Sequence, residues 1–186
     1  MFLNLNKLSK RIDNSNPSTV LSFLPRANIV NTLVGKYFKK KYKIVIVEQN
    51  FYRIHYSSNI FGRVFFKIMH LTYPSANLVI ANAKALGDEI INSFGVEKDN
   101  LKVVYSPFDL KKINELSKKN VSHKWFNDNM PIIIHVGRLI KQKNQELLLE
   151  SFDLVRKVIP ARLVIIGDGN LENNLKIKTS ILDLNG

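Results

Sequence analysis

The side chains best suited to chemistry in this sequence stand at two short turns. The first is HVGRLIKQKN, residues 135–144, where Gly137, Arg138 and Lys143 follow the apolar run PIIIHV. Two cations beside a glycine can meet a diphosphate: the charges neutralise it, and the missing Cβ lets the backbone approach closely. The second is IIGDGN, residues 165–170, which places Gly167, Asp168 and Gly169 after another apolar run. A cationic and a glycine-rich turn on one edge would make a floor for a nucleotide diphosphate. The same residues also suit surface turns whose charges meet only water, because Arg and Lys are usually solvated. Two widely used phosphate patterns do not fit. There is no G-x-x-x-x-G-K-[ST] loop, and GDGNLE lacks the third glycine of the dinucleotide fingerprint.

For the two turns to share an edge, the runs before them must be neighbouring strands of a parallel sheet, whose ligands sit beyond the carboxyl ends of the strands. STVLSFL (18–24), YKIVIVE (42–48), ANLVIAN (76–82), LKVVYS (101–106), PIIIHVG (131–137) and ARLVIIGD (161–168) are short and apolar at consecutive positions. That pattern predicts strands covered on both faces. Stretches at 26–39, 60–72, 83–94, 109–119, 144–158 and 170–180 predict helices between them. Strict alternation implies an α/β fold with doubly wound, Rossmann-like parallel sheets. In the helix expected at 144–158, Asn144 is placed as N-cap, Leu147, Leu148, Phe152, Val155 and Ile159 as the apolar stripe, and Pro160 as the stop. SKKNVSHKWFNDNM (117–130) is polar and aperiodic. The expected division is therefore a first domain at 1–119, a linker at 120–130 and a second domain at 131–186.

Charge narrows the partners. The chain carries 28 Lys and Arg against 15 Asp and Glu, a formal balance of +13. Residues 1–82 hold 12 basic and two acidic side chains, Asp13 and Glu48, so 12 − 2 = +10 of that balance lies there. Anions are the expected partners. With no cysteine, disulfide and thiolate chemistry is excluded, which fits a reducing compartment. MFLNLNKLSKR lacks the pattern of a secretory leader, and no run reaches the roughly 18–20 apolar residues of a membrane span. A soluble, cytoplasmic chain is expected, peripheral on a membrane at most. FYRIHYSSNIFGRVFFKIMHLTY (51–73) interleaves aromatics with Arg53, His55, Arg63, Lys67 and His70. Such a stretch suits contact with an anionic membrane, and equally a helix packed inward with a basic outer face.

Read as motifs, IIIHVGRLIKQKNQELLLESFDLVRKVIPARLVIIGDGNLENNLK (132–176) resembles the opening of the donor-binding domain of GT-B retaining glycosyltransferases of family 4. The order is that family's: apolar strand, G-R-L, a K-N pair, an amphipathic helix, a second strand ending in G-x-G, and another helix. LVIANAKALGDEIINSFGVEKDNLKVVYSPFDLKKI (78–113) resembles the end of the same family's first domain, with Ser106 where the family favours Asn. STVLSFLPRANIV (18–30) and VIVEQN (45–50) resemble its acceptor-side domain.

The resemblance implies transfer of a sugar from a nucleotide-sugar to a glycan or lipid-linked acceptor, with retained anomeric configuration. It also implies no metal ion or cofactor, in keeping with the lack of any D-x-D. Arg138 and Lys143 would stabilise the leaving diphosphate as catalytic cations. Gly137, Asp168 and Gly169 would shape the donor cleft, and Glu48 and Asn50 would face it from the acceptor side. UDP-linked N-acetylhexosamines are the expected donors. The family's Glu-x(7)-Glu segment, its first strand and its glycine-rich acceptor loop have no counterpart. Glu89 and Glu97 have the right spacing but lie in the first domain. The chain is thus expected to be truncated at both ends of an enzyme about twice as long. Two sheets short of strands would leave apolar surface exposed and put activity in question. The alternatives are a non-catalytic interaction protein on the same scaffold, and a basic nucleic-acid-binding module. The second lacks any helix-turn-helix, zinc-finger or aromatic RNA-binding signature, so no nucleic acid is expected.

Overall fold

The computed structural model describes residues 5–51, 60–126 and 128–184. The chain divides into two compact units, Met1–Asp109 and Leu110–Gly186. Each has the expected α/β architecture with a parallel sheet.

In the first unit the described elements are α1 (Leu5–Ser15), β1 (Thr19–Phe23), α2 (Pro25–Tyr37), β2 (Lys43–Glu48), α3 (Ile60–Thr72), β3 (Leu78–Ala81), α4 (Lys84–Phe94) and β4 (Leu101–Val103). The strands pair in sequence order, all parallel. Burial follows the sequence pattern: Ile44, Val45, Ile46, Val47 and Glu48 are all buried, as a central strand covered on both faces requires. The core joins Ile46 and Val79 of the sheet to Val34, Met69, Leu86, Ile90 and Phe94 of the helices. Helix α2 starts with Pro25, whose missing N–H costs nothing in the first turn. Its inner face also carries amides. The Asn28 side chain donates to Val47 O at 2.9 Å, and Asn31 donates to Val20 O at 3.0 Å and Ser22 Oγ at 3.1 Å. Helix α4 ends on Gly95, whose φ of 68° forms the left-handed cap expected of glycine.

The second unit holds α5 (Leu110–Ser117), β5 (Ile132–Val136), α6 (Gln145–Arg156), β6 (Arg162–Ile166) and α7 (Glu172–Ile181). Strands β5 and β6 are parallel, in register from Ile132 opposite Arg162 to Val136 opposite Ile166. Leu139, Leu149, Phe152 and Leu175 are buried, while Val136 and Ile166 at the strand ends remain 72% and 51% exposed.

Two local expectations change. Of the stripe expected on helix α6, Phe152 is buried, but Gln145 and Leu149 are buried beside it while Leu147 and Val155 stay exposed. Asn144 does precede the helix, but in the left-handed conformation (φ 52°) and without a side-chain capping bond. Trp125 and Asp128, within the stretch expected as linker, are tied to β6. Arg162 grips Asp128 through both carboxylate oxygens at 2.8 and 2.7 Å, donates to Trp125 O at 3.0 Å and lies over the Trp125 ring. That grip holds the Asp128 carboxyl below the usual carboxylate range.

Candidate functional site

The two chemically interesting turns do come together. Beyond β5 and β6 the backbone ladder continues: Gly137 N donates to Ile166 O at 2.9 Å, Leu139 N to Asp168 O at 2.6 Å, and Leu171 N to Leu139 O at 3.0 Å. The 137–143 and 167–171 turns are therefore one hydrogen-bonded unit at the carboxyl end of the sheet. This is where an open parallel sheet places its ligands.

Glycine is required here for a different reason from the one the motif suggests. A Cβ on Gly167 would stand 2.0 Å from Gly137 O, and one on Gly169 would stand 2.4 Å from Leu139 O. Both have positive φ, 155° and 151°. Only a residue without a side chain lets these turns lie against each other. Gly137, expected to permit close approach of a ligand, is less constrained. A Cβ there would meet His135 Nε2 at 3.4 Å and the Lys143 stem at 3.9 Å, ordinary contact distances. The Lys143 stem thus lies over Gly137.

The two cationic residues are fixed through their main chain, not through acids. Arg138 and Lys143 are exposed. Among the described residues no carboxylate lies within ion-pairing distance of either. The Arg138 carbonyl accepts from Ile140 N at 3.0 Å and from Gln145 Nε2 at 2.8 Å. Lys143 closes its own turn through Ile140 O at 2.9 Å. Asp168 is exposed and engages the neighbouring turn through its carbonyl. Unneutralised positive charge on a fixed turn is what a diphosphate needs.

Gln145 is the residue that pattern reading misses. It is fully buried, its amide nitrogen also lies 3.3 Å from His135 Nε2, and its Oε1 has no partner. Its only signal in the sequence is its place directly after Lys143 and Asn144, at a helix start.

Glu48 requires a correction. Expected to face a cleft beside Asn50, it instead has no exposed surface, at the end of β2 inside the first unit. Asn28 Nδ2 donates to its Oε1 at 2.6 Å, and the Tyr73 hydroxyl makes a short hydrogen bond to the same oxygen. Burial pushes its pKa up to about 7, against these bonds and the Gln49 amide, which pull it down. Asn50 is exposed. Of the basic aromatic stretch, Arg53 and His55 lie outside the described residues, whereas Arg63, Lys67 and His70 are exposed on α3. Among the described residues no three His, Asp or Glu side chains gather as metal ligands would. No helix among them is long and apolar enough to cross a membrane.

Comparison with known proteins agrees with the sequence resemblance. The family model for Glycosyltransferase Family 4 matches residues 1–112, and that for Glycosyl transferases group 1 matches residues 117–186. The N-acetylgalactosamine-N,N'-diacetylbacillosaminyl-diphospho-undecaprenol 4-alpha-N-acetylgalactosaminyltransferase of Campylobacter jejuni subsp. jejuni serotype O:2 is 29% identical over 170 residues, 91% of this chain and 44% of that protein. Among solved structures, the apo form of the lipopolysaccharide outer core galactosyltransferase WaaB matches with a TM-score of 0.67 at 16% identity, over 97% of this chain and 45% of its own. Anabaena Alr3699/HepE in complex with UDP-glucose matches with a TM-score of 0.66 at 20% identity, over 98% and 49%. The chain spans about half the length of the relatives it matches. With one family model covering more than half of its length and a second covering most of the remainder, the chain belongs to the family 4, group 1 glycosyltransferases of GT-B fold.

Proposed function

We propose that this chain binds the diphosphate of a nucleotide-sugar at its paired 137–143 and 167–171 turns. It would act in transfer of the sugar, with retention, to a hydroxyl of a glycan or lipid-linked acceptor on the cytoplasmic face of a membrane. The observation that carries this is a hydrogen-bonded pair of turns presenting two cations that, among the described residues, no carboxylate neutralises. Support for a UDP-linked donor comes from HepE, solved with UDP-glucose. Support for a lipid-linked acceptor and an N-acetylhexosamine comes from the name of the Campylobacter protein.

In the reaction, the bond between the anomeric carbon and the diphosphate oxygen breaks, and its electron pair stays on the diphosphate. The acceptor oxygen bonds the same carbon from the same face, and its proton passes to the departing diphosphate. Negative charge therefore grows where Arg138 and Lys143 stand, and fixed cations stabilise that growth more than they stabilise the bound donor. Gln145 holds the Arg138 carbonyl, so the cation's backbone needs no rearrangement as the charge develops.

Calorimetric titration of the chain with UDP-N-acetylglucosamine and UDP-glucose tests the reading. Arg138→Ala is expected to weaken donor binding about tenfold to a hundredfold, the value of a charge-assisted hydrogen bond. Unchanged affinity in both Arg138→Ala and Lys143→Ala would remove the proposed site.

A further inference from the structure

Helix α3 divides its circumference into three stripes. Gly62, Phe65, Met69 and Thr72 are buried in the core. Phe61, Val64, Ile68 and Leu71 form a second, apolar stripe, on which Phe61 is 84% exposed and Leu71 66%. Arg63, Lys67 and His70 form a third, exposed and basic. At 3.6 residues per turn the apolar stripe lies about 100° from the basic one. The apolar stripe also continues into a groove of about 520 Å³ against α2, lined by Ile29, Val30, Phe61, Val64 and Ile68 with Arg26 at its lip. Neither α2 nor α3 carries an acidic residue. Between Asp13 and Asp88 the sequence has ten Lys and Arg and one acid, Glu48, which is buried.

Exposed large apolar side chains beside a basic stripe, on helices without acids, match one kind of partner. The apolar side chains gain by leaving water for hydrocarbon, while the cations gain by staying at the level of lipid phosphates. We infer that the α2–α3 face docks the protein on an anionic lipid bilayer, with Phe61, Val64 and Leu71 inserted and Arg26, Arg63 and Lys67 at the phosphates. This deepens the acceptor half of the proposed function, since it would bring the protein to the surface that holds a lipid-linked acceptor. It does not depend on donor binding.

The test is co-sedimentation of the full chain with vesicles of phosphatidylcholine, with and without phosphatidylglycerol. Binding is expected only with the anionic lipid and is expected to weaken in high salt. Each charge reversal, Arg63→Glu or Lys67→Glu, should weaken it at least about fivefold, since one basic residue at an anionic surface is worth about 1 kcal/mol. Phe61→Ser with Val64→Ser should weaken it at every salt concentration. Thermal melts and UDP-sugar titration of each variant show whether it is folded and keeps the donor site. Equal binding to neutral and anionic vesicles would overturn the inference. So would no binding by wild type, or apolar variants that convert a dimer to a monomer in sedimentation velocity, which would assign the face to a second copy. Loss of UDP-sugar binding with vesicle binding intact would sink the donor reading and leave this one standing.

Discussion

Gly137 and Gly167 look equivalent in the two turns but should behave differently when each is replaced by alanine. At Gly167 the new Cβ would overlap Gly137 O at 2.0 Å, a backbone atom fixed within the paired turns, in a conformation of φ 155°. The conformation alone costs about 1–3 kcal/mol for a residue with a side chain, before the overlap is relieved. For a domain of 60–100 residues that is a fall in Tm of roughly 5–20 °C. At Gly137 the nearest atoms to a new Cβ are side-chain atoms at 3.4 and 3.9 Å, and φ is not positive, so the cost should stay below about 1 kcal/mol. Thermal unfolding followed by circular dichroism, with urea unfolding for the free energy, compares Gly167→Ala and Gly137→Ala directly. Should the two variants lose similar stability, the turns are not locked against each other as described. Gly167→Ala is also expected to abolish UDP-sugar binding, because it must separate the turns that position the cations.

Other outcomes follow from single contacts. Gln145→Leu removes one hydrogen bond to Arg138 O, worth about 1 kcal/mol, but also removes a buried oxygen without a partner, worth a similar amount. Stability should therefore change little while donor affinity falls, and urea unfolding with titration would show an error if stability fell by several kcal/mol instead. Glu48 has its pKa raised from 4.5 to about 7, so its neutral form is favoured in the fold. That contribution is complete below about pH 4.5 and is lost as pH rises towards 7, by about 3 kcal/mol at most. Glu48→Gln should flatten that pH dependence and match or exceed wild-type stability above pH 7; an unchanged slope would refute the assignment. Arg162→Ala leaves Asp128 without its bidentate partner and frees Trp125 and Asp128 from β6. Limited proteolysis should then cut near Trp125 while cleavage within β5 and β6 stays unchanged.

Much of this molecule was legible in one dimension. Runs such as KIVIVE and RLVII predict parallel strands because a strand covered on both faces must be apolar at successive positions, and both lie in parallel sheets. The order G-R-L, K-N, helix, strand, G-D-G likewise pointed to its family, since chemistry at a sheet edge constrains residue types at fixed spacing. What depended on tertiary structure was the reason for each residue. Gly167 and Gly169 are needed by a neighbouring turn's carbonyls, Glu48 is sealed inside a unit instead of facing a cleft, and buried Gln145 tethers the cationic turn. Burial and backbone contact between segments some thirty residues apart arise only when the strands pair, and no local spacing encodes which atoms then meet.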